Sequence, residues 1–128
     1  MKFTIEIPGK PVGKERPRFN RNTGAVYTPK RTREYEGRVA ESAMLFDVTL
    51  MRDVQLLVYW GVGATKAGPP PKRIPDVDNV LKSIMDGLEG VAYESDSEVY
   101  EAHIQRHATK YGGDSITILI EGHAIRDD

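Results

Sequence analysis

The chain contains no cysteine. This excludes disulfide staples and thiolate-ligated zinc or iron–sulfur centres. No run approaches the roughly 18 consecutive apolar residues that a membrane-spanning helix needs. The opening MKFTIEIPGK has no apolar secretory core, so a soluble, cytoplasmic protein with no membrane partner is expected. Aromatics are sparse, at 8%, and there is one tryptophan. No internal repeat, low-complexity tract, phosphate-binding G-x-x-x-x-G-K-[ST] loop or serine or cysteine nucleophile triad is present. What remains is one domain's worth of chain, residues 1–128, long enough to bury a core without staples.

Charge is unevenly placed. Residues 1–38 carry ten Lys and Arg against four Glu, a net of +6, while the rest carries a net of −7. A basic arm on an acidic body points to a polyanion met by the arm and cations met by the body. The plainer reading is a solvated surface of uneven charge. Within residues 9–30, Gly and Pro break any period. There Lys10, Lys14, Arg16, Arg18 and Arg21 alternate with Phe19 and Tyr27, a pattern suited to phosphates and unpaired bases. This segment reads as a long basic loop, with a short hairpin at Asn22-Thr23-Gly24. Lys30 and Arg31 extend the basic stretch into the next element.

Periodicity outlines an α+β (mixed α/β) domain with two main helices and a mixed sheet of about four strands. Phe3, Ile5 and Ile7 alternate as a strand stopped by Pro8-Gly9. Tyr35, Val39, Ala43 and Phe46 form one helical stripe, with Thr28 or Thr32 as its cap and Pro29 in its first turn. Val54 to Val62 reads as a central strand covered on both faces. A second helix starts at Asp78 or Asn79 and stops at Gly90, burying Val80, Leu81, Ile84 and Leu88. Glu98–Ala108 and Ile116–Ile120 read as two more strands, antiparallel neighbours if the turn between them closes a hairpin. Residues 122–128 are expected to be a frayed tail.

The chemistry concentrates in PDVDNVLKSIMDGLEGVAYESDSEV. In extended backbone, Asp76 and Asp78 share a face within about 7 Å. Such carboxylates repel unless a cation joins them, and Mg²⁺, a hard ion that keeps waters for substrate, resolves the conflict. Asp96 is the best third carboxylate. Three carboxylates and retained waters suit phosphodiester hydrolysis. Lys82, one turn beyond Asp78, could contact the scissile phosphate. Asp86 could be an outer ligand or the salt-bridge partner of Lys82. A bare D-x-D is also compatible with an acidic loop and a helix cap. Lys72 and Arg73 add cations on the approach, and the three histidines read as surface groups.

IPGKPVGKERPRF, YTPKRTREYE and, most specifically, PDVDNVLKSIMDGL with ESDSEV resemble the RusA-type Holliday junction resolvases, small endodeoxyribonucleases of bacteria and their phages. The resemblance implies that Asp76, Asp78 and Asp96 are the metal-binding catalytic triad and Lys82 the catalytic lysine. It also implies dependence on Mg²⁺ with Mn²⁺ able to substitute, a homodimer, and paired symmetric nicks in a four-way DNA junction during recombination and repair. One departure from the family pattern is Ser95, where an acidic residue often precedes the third aspartate. Alternatives are a nuclease for flaps or other branched DNA, and a non-catalytic DNA-binding module.

Overall fold

The alternating apolar residues become the strands of one mixed sheet, and the 3.6-period stripes become two helices laid on one of its faces. The computed structural model describes residues 1–63, 74–109 and 112–125. In chain order the elements are β1 (Lys2–Pro8), β2 (Arg18–Phe19), β3 (Val26–Tyr27), α1 (Lys30–Leu45), β4 (Met51–Gly63) and α2 (Val77–Leu88). A short 3₁₀ turn (Asp96–Glu98), β5 (Val99–Thr109) and β6 (Ser115–Ala124) complete the chain. The main sheet has the order β1-β6-β4-β5, and β2 and β3 form a separate small hairpin.

β4 and β5 are parallel, whereas β6 runs antiparallel to both β1 and β4. The expected β5–β6 hairpin does not form. The helix between β4 and β5 makes a βαβ crossover that sets β5 outside β4, and β6 fills the gap between β4 and β1. β4 is central as expected, but only one of its faces is sealed. Val54, Leu56, Val58, Trp60 and Val62 are buried under the helices, while Leu57 and Tyr59 on the other face are half-buried and Gln55 is exposed.

The helices start differently from the sequence reading. α1 is preceded by Pro29 with no side-chain cap. Thr32 lies inside its first turn, fully buried, and donates to Glu15 Oε1 at 3.0 Å. Tyr35, Val39 and Ala43 enter the core, but Phe46 ends the helix 44% exposed. α2 begins one residue before Asp78, with extended backbone at Asp76. Its buried side includes Ser83 and Gly87 beside Val80, Ile84 and Leu88. Gly87 is where the helices touch, since a Cβ there would lie 2.8 Å from the Glu36 carbonyl oxygen and from Val39 Cβ. β6 continues through Gly122 to Ala124, so the tail starts later than expected. Gly122 N donates to the Met1 carbonyl at 3.0 Å, and the Met1 amino group donates back at 2.8 Å. No described helix is long and apolar enough to cross a membrane.

Candidate active site and nucleic-acid interface

The parallel pairing of β4 and β5 places the start of α2 at the sheet end where both strands finish. Ligands gather at this end of parallel strands in α/β proteins. Asp76 sits at the N-cap and Asp78 in the first turn of α2. Both are exposed. Asp76 makes no side-chain cap bond, and neither carboxylate has an ion pair among the described residues. Lys82 is exposed one turn further on. The two aspartates offer hard oxygen donors beside a helix N-terminus, the chemistry that suits a hard divalent cation.

The basic arm is bound to this site rather than loose. Lys14 N donates to the Asn79 carbonyl at 2.9 Å. Ser83 Oγ, on the next turn, donates to the Val12 carbonyl at 2.7 Å. Gly13 is needed at the crossing, because a Cβ there would meet Pro75 Cβ at 3.0 Å. The Lys14 ammonium enters between the helices, 2.8 Å from Glu36 Oε1 and 3.0 Å from Asp86 Oδ2. Burial lowers the Lys14 pKa, but hydrogen bonds and charge from Glu36 and Asp86 outweigh it, leaving the pKa above 10.5. Asp86 therefore partners Lys14 rather than Lys82, and Lys14, expected to contact DNA, is occupied in anchoring the arm.

Other arm cations face outward. Lys10, Arg16, Arg18, Arg21, Lys30 and Arg31 are all exposed. Arg18 starts the β2–β3 hairpin, whose turn is held by Asn20 Oδ1 accepting from Asn22 N at 2.9 Å and by Gly24 at φ +71°. Phe19 is 62% exposed beside it and Tyr27 is also exposed, so both rings are open to stacking. Lys10 and Arg31 line a cleft of about 760 Å³ that reaches Pro75, the residue before Asp76. Lys72 and Arg73 lie outside the described residues.

Two further residues organise this end of the sheet. Arg106 donates to the Pro75 carbonyl at 3.2 Å, with its guanidinium 5.3 Å from the centre of the Trp60 ring. Asp114 accepts from Gly63 N at 2.8 Å and from Trp60 Nε1 at 3.4 Å, and its carbonyl accepts from Gly9 N at 2.9 Å. It thus joins the arm to the end of β4. Their sequence signals were weak: one charge in an exposed strand and one acid in a Gly-Gly turn.

Asp96 is not at this site. It begins the 3₁₀ turn ahead of β5, and Val99 at the start of β5 pairs with Val54 near the start of β4. Asp76 follows Pro75, which contacts Arg106 near the end of β5. The 12 residues of α2 lie between them, so the two ends are separated by about 18 Å. The surroundings of Tyr93 agree. Burial first, then the charges of Glu89, Asp86 and Asp96, push its pKa upward, which places Asp96 by the end of α2. Glu94 shares that end. Among the described residues, no three His, Asp or Glu side chains converge as a metal cluster.

Among curated proteins, no sequence matches this chain. The family model described as Endodeoxyribonuclease RusA matches residues 8–121. That span takes in the docked arm, the Asp76-Val77-Asp78 start of α2 and the sheet that supports them, and the chain belongs to the RusA endodeoxyribonuclease family.

Proposed function

We propose that this protein is a Mg²⁺-dependent endonuclease that resolves four-way DNA junctions by paired symmetric nicks, with Mn²⁺ able to replace Mg²⁺. It acts as a homodimer in recombination and repair, in the cytoplasm of a bacterial or phage-infected cell. The observation that carries this reading is the placement of two exposed carboxylates, unpaired among the described residues, beside a docked cationic arm at the N-terminus of α2.

In this reading Asp76 and Asp78 hold the metal, which when bound supplies charge neutralisation and a water of lowered pKa. The arm binds the phosphate backbone through Lys10, Arg16, Arg18, Arg21, Lys30 and Arg31, and its Phe19 and Tyr27 rings take bases opened at the branch point. Lys82 orients the scissile phosphate or the attacking water. The backbone hydrogen bond from Lys14 to Asn79 holds the arm beside the carboxylates, so DNA is positioned before chemistry. The family's third aspartate, Asp96, lies too far away to serve the same chain's site. It completes the pocket only when delivered by a second copy, which a two-fold dimer does reciprocally.

The test is a comparison of cleavage rates on a four-way junction, a flap and a linear duplex in Mg²⁺. Cleavage fastest on the junction, with symmetric nicks, is expected. Equal rates on all three would remove junction resolution and leave a general nuclease.

A further inference from the structure

Successive residues of a strand alternate between its two faces, so Ala102, Ile104 and Arg106 of β5 share one side. Ala102 and Ile104 pack against the core, as residues under the helices should. Arg106 continues that row with a charge, paired in the β4–β5 register with the fully buried Trp60. A charged group where the pattern asks for an apolar one is an informative departure. Its planar guanidinium lies 5.3 Å from the centre of the Trp60 ring. The indole is itself tied down, its Nε1 donating to Asp114 Oδ2 at 3.4 Å. From this seat Arg106 Nη1 donates to the Pro75 carbonyl at 3.2 Å. No other group among the described residues donates to that oxygen.

The Pro75 carbonyl and the Asp76 N–H belong to one planar peptide, so holding the first orients the second. The Asp76 carbonyl, in the next peptide, accepts from Val80 N at 3.0 Å. Both peptides that flank Asp76 are therefore held, and its φ of −66° and ψ of 144° are set from outside the residue. This matters because the Asp76 side chain makes no cap hydrogen bond that would orient it. Pro75 is also pressed by the arm, where a Cβ on Gly13 would lie 3.0 Å from Pro75 Cβ. The residue before Asp76 is thus gripped between the arm and Arg106.

We infer that Arg106 is a positioning residue for Asp76. Stacked on Trp60, it holds the Pro75–Asp76 peptide so that the carboxylate is presented to a divalent cation in one orientation. The inference rests on the nuclease reading above and deepens it. The clamp uses the shape of arginine rather than its charge. A positive charge this close to Asp76 opposes a second cation there, so charge and positioning act on metal affinity with opposite signs. Lysine keeps the charge but has no planar group to stack on the indole.

The test uses Arg106→Met and Arg106→Lys in the full chain. Arg106 is exposed, so both variants are expected to fold, and the emission of Trp60, the only tryptophan, checks this. Mn²⁺ affinity is measured by calorimetry without DNA, and junction affinity is measured without divalent metal. Arg106→Met is expected to bind Mn²⁺ about 10-fold more weakly, the scale on which loss of a ligand's supporting hydrogen bonds acts, with junction affinity unchanged. Arg106→Lys should also bind Mn²⁺ more weakly than wild type, and nicking by both variants should recover as Mn²⁺ is raised. Mn²⁺ affinity equal to or tighter than wild type in either folded variant overturns the inference, and so does the unfolding of both. A loss of junction affinity at unchanged Mn²⁺ affinity makes Arg106 a phosphate contact and overturns it as well. Each of these leaves the nuclease reading standing. A wild-type chain that neither binds Mn²⁺ nor nicks a junction overturns that reading and the inference with it.

Discussion

Replacing Lys14 by Met removes one ammonium and keeps most of its apolar stem. Glu36 Oε1 and Asp86 Oδ2, at 2.8 and 3.0 Å from Nζ, can be no more than about 6 Å from each other. Two unit charges at that distance repel by about 0.7 kcal/mol in water and about 3 kcal/mol at an effective dielectric near 20. The group is partly open, with the Lys14 side chain 18% exposed, so the destabilisation lies within that range rather than at the larger loss of a fully buried pair. Urea unfolding is expected to show a midpoint lowered by that amount divided by the slope, with the slope itself unchanged. Adding Glu36→Gln and Asp86→Asn to Lys14→Met is expected to recover most of the loss, because the repulsion disappears with the charges. The raised Lys14 pKa means that the contribution is complete below about pH 10.5, the ordinary lysine value, and disappears only as pH rises through the folded value. Between pH 6 and 9 the loss in Lys14→Met is therefore constant. A variant as stable as wild type, or a triple variant no better than Lys14→Met, would refute this account of how the arm is anchored.

Four other outcomes follow from features elsewhere in the chain. Gly87→Ala forces a Cβ into the Glu36 carbonyl and Val39 and is expected to destabilise by about 1–3 kcal/mol, whereas Gly37→Ala, with open space around it, should stabilise α1 by up to about 1 kcal/mol in thermal melts. Burial raises the Tyr35 pKa from 10.0 to about 12, and its hydroxyl has no hydrogen-bond partner among the described residues. Its contribution is intact below pH 10 and lost as pH climbs toward 12, so Tyr35→Phe should match wild type at neutral pH and lose less stability in alkaline urea titrations. Replacing Arg18 and Arg21 by Gln should lower the salt dependence of junction binding by about two phosphate contacts, read as the slope of log affinity against log salt; an unchanged slope would place these side chains away from DNA.

The parts legible in the sequence were those governed by short-range periodicity. Alternation located β1, β4, β5 and β6, and the Tyr35-Val39-Ala43 and Val80-Ile84-Leu88 stripes located both helices, because burial of one face follows directly from a period of 2 or 3.6. Pairing was less legible. Nothing local in Ile116–Ile120 states that it inserts between β1 and β4 rather than folding back on β5, since that depends on the crossover made by α2. At the candidate site, the grouping of Asp76, Asp78 and Lys82 around the start of α2 was legible from their spacing. The anchoring of Lys14 was not, because it joins residues 22 and 72 positions away through tertiary contacts. Asp96 could be named from resemblance, but its place at the far end of α2 follows from topology that spacing does not encode.

The most direct measurement of the central claim is Mg²⁺-dependent nicking of a four-way junction by Asp78→Asn beside wild type, with junction affinity measured in parallel. The account predicts that nicking is abolished while binding through the arm is retained. Nicking by Asp78→Asn at the wild-type rate would contradict it.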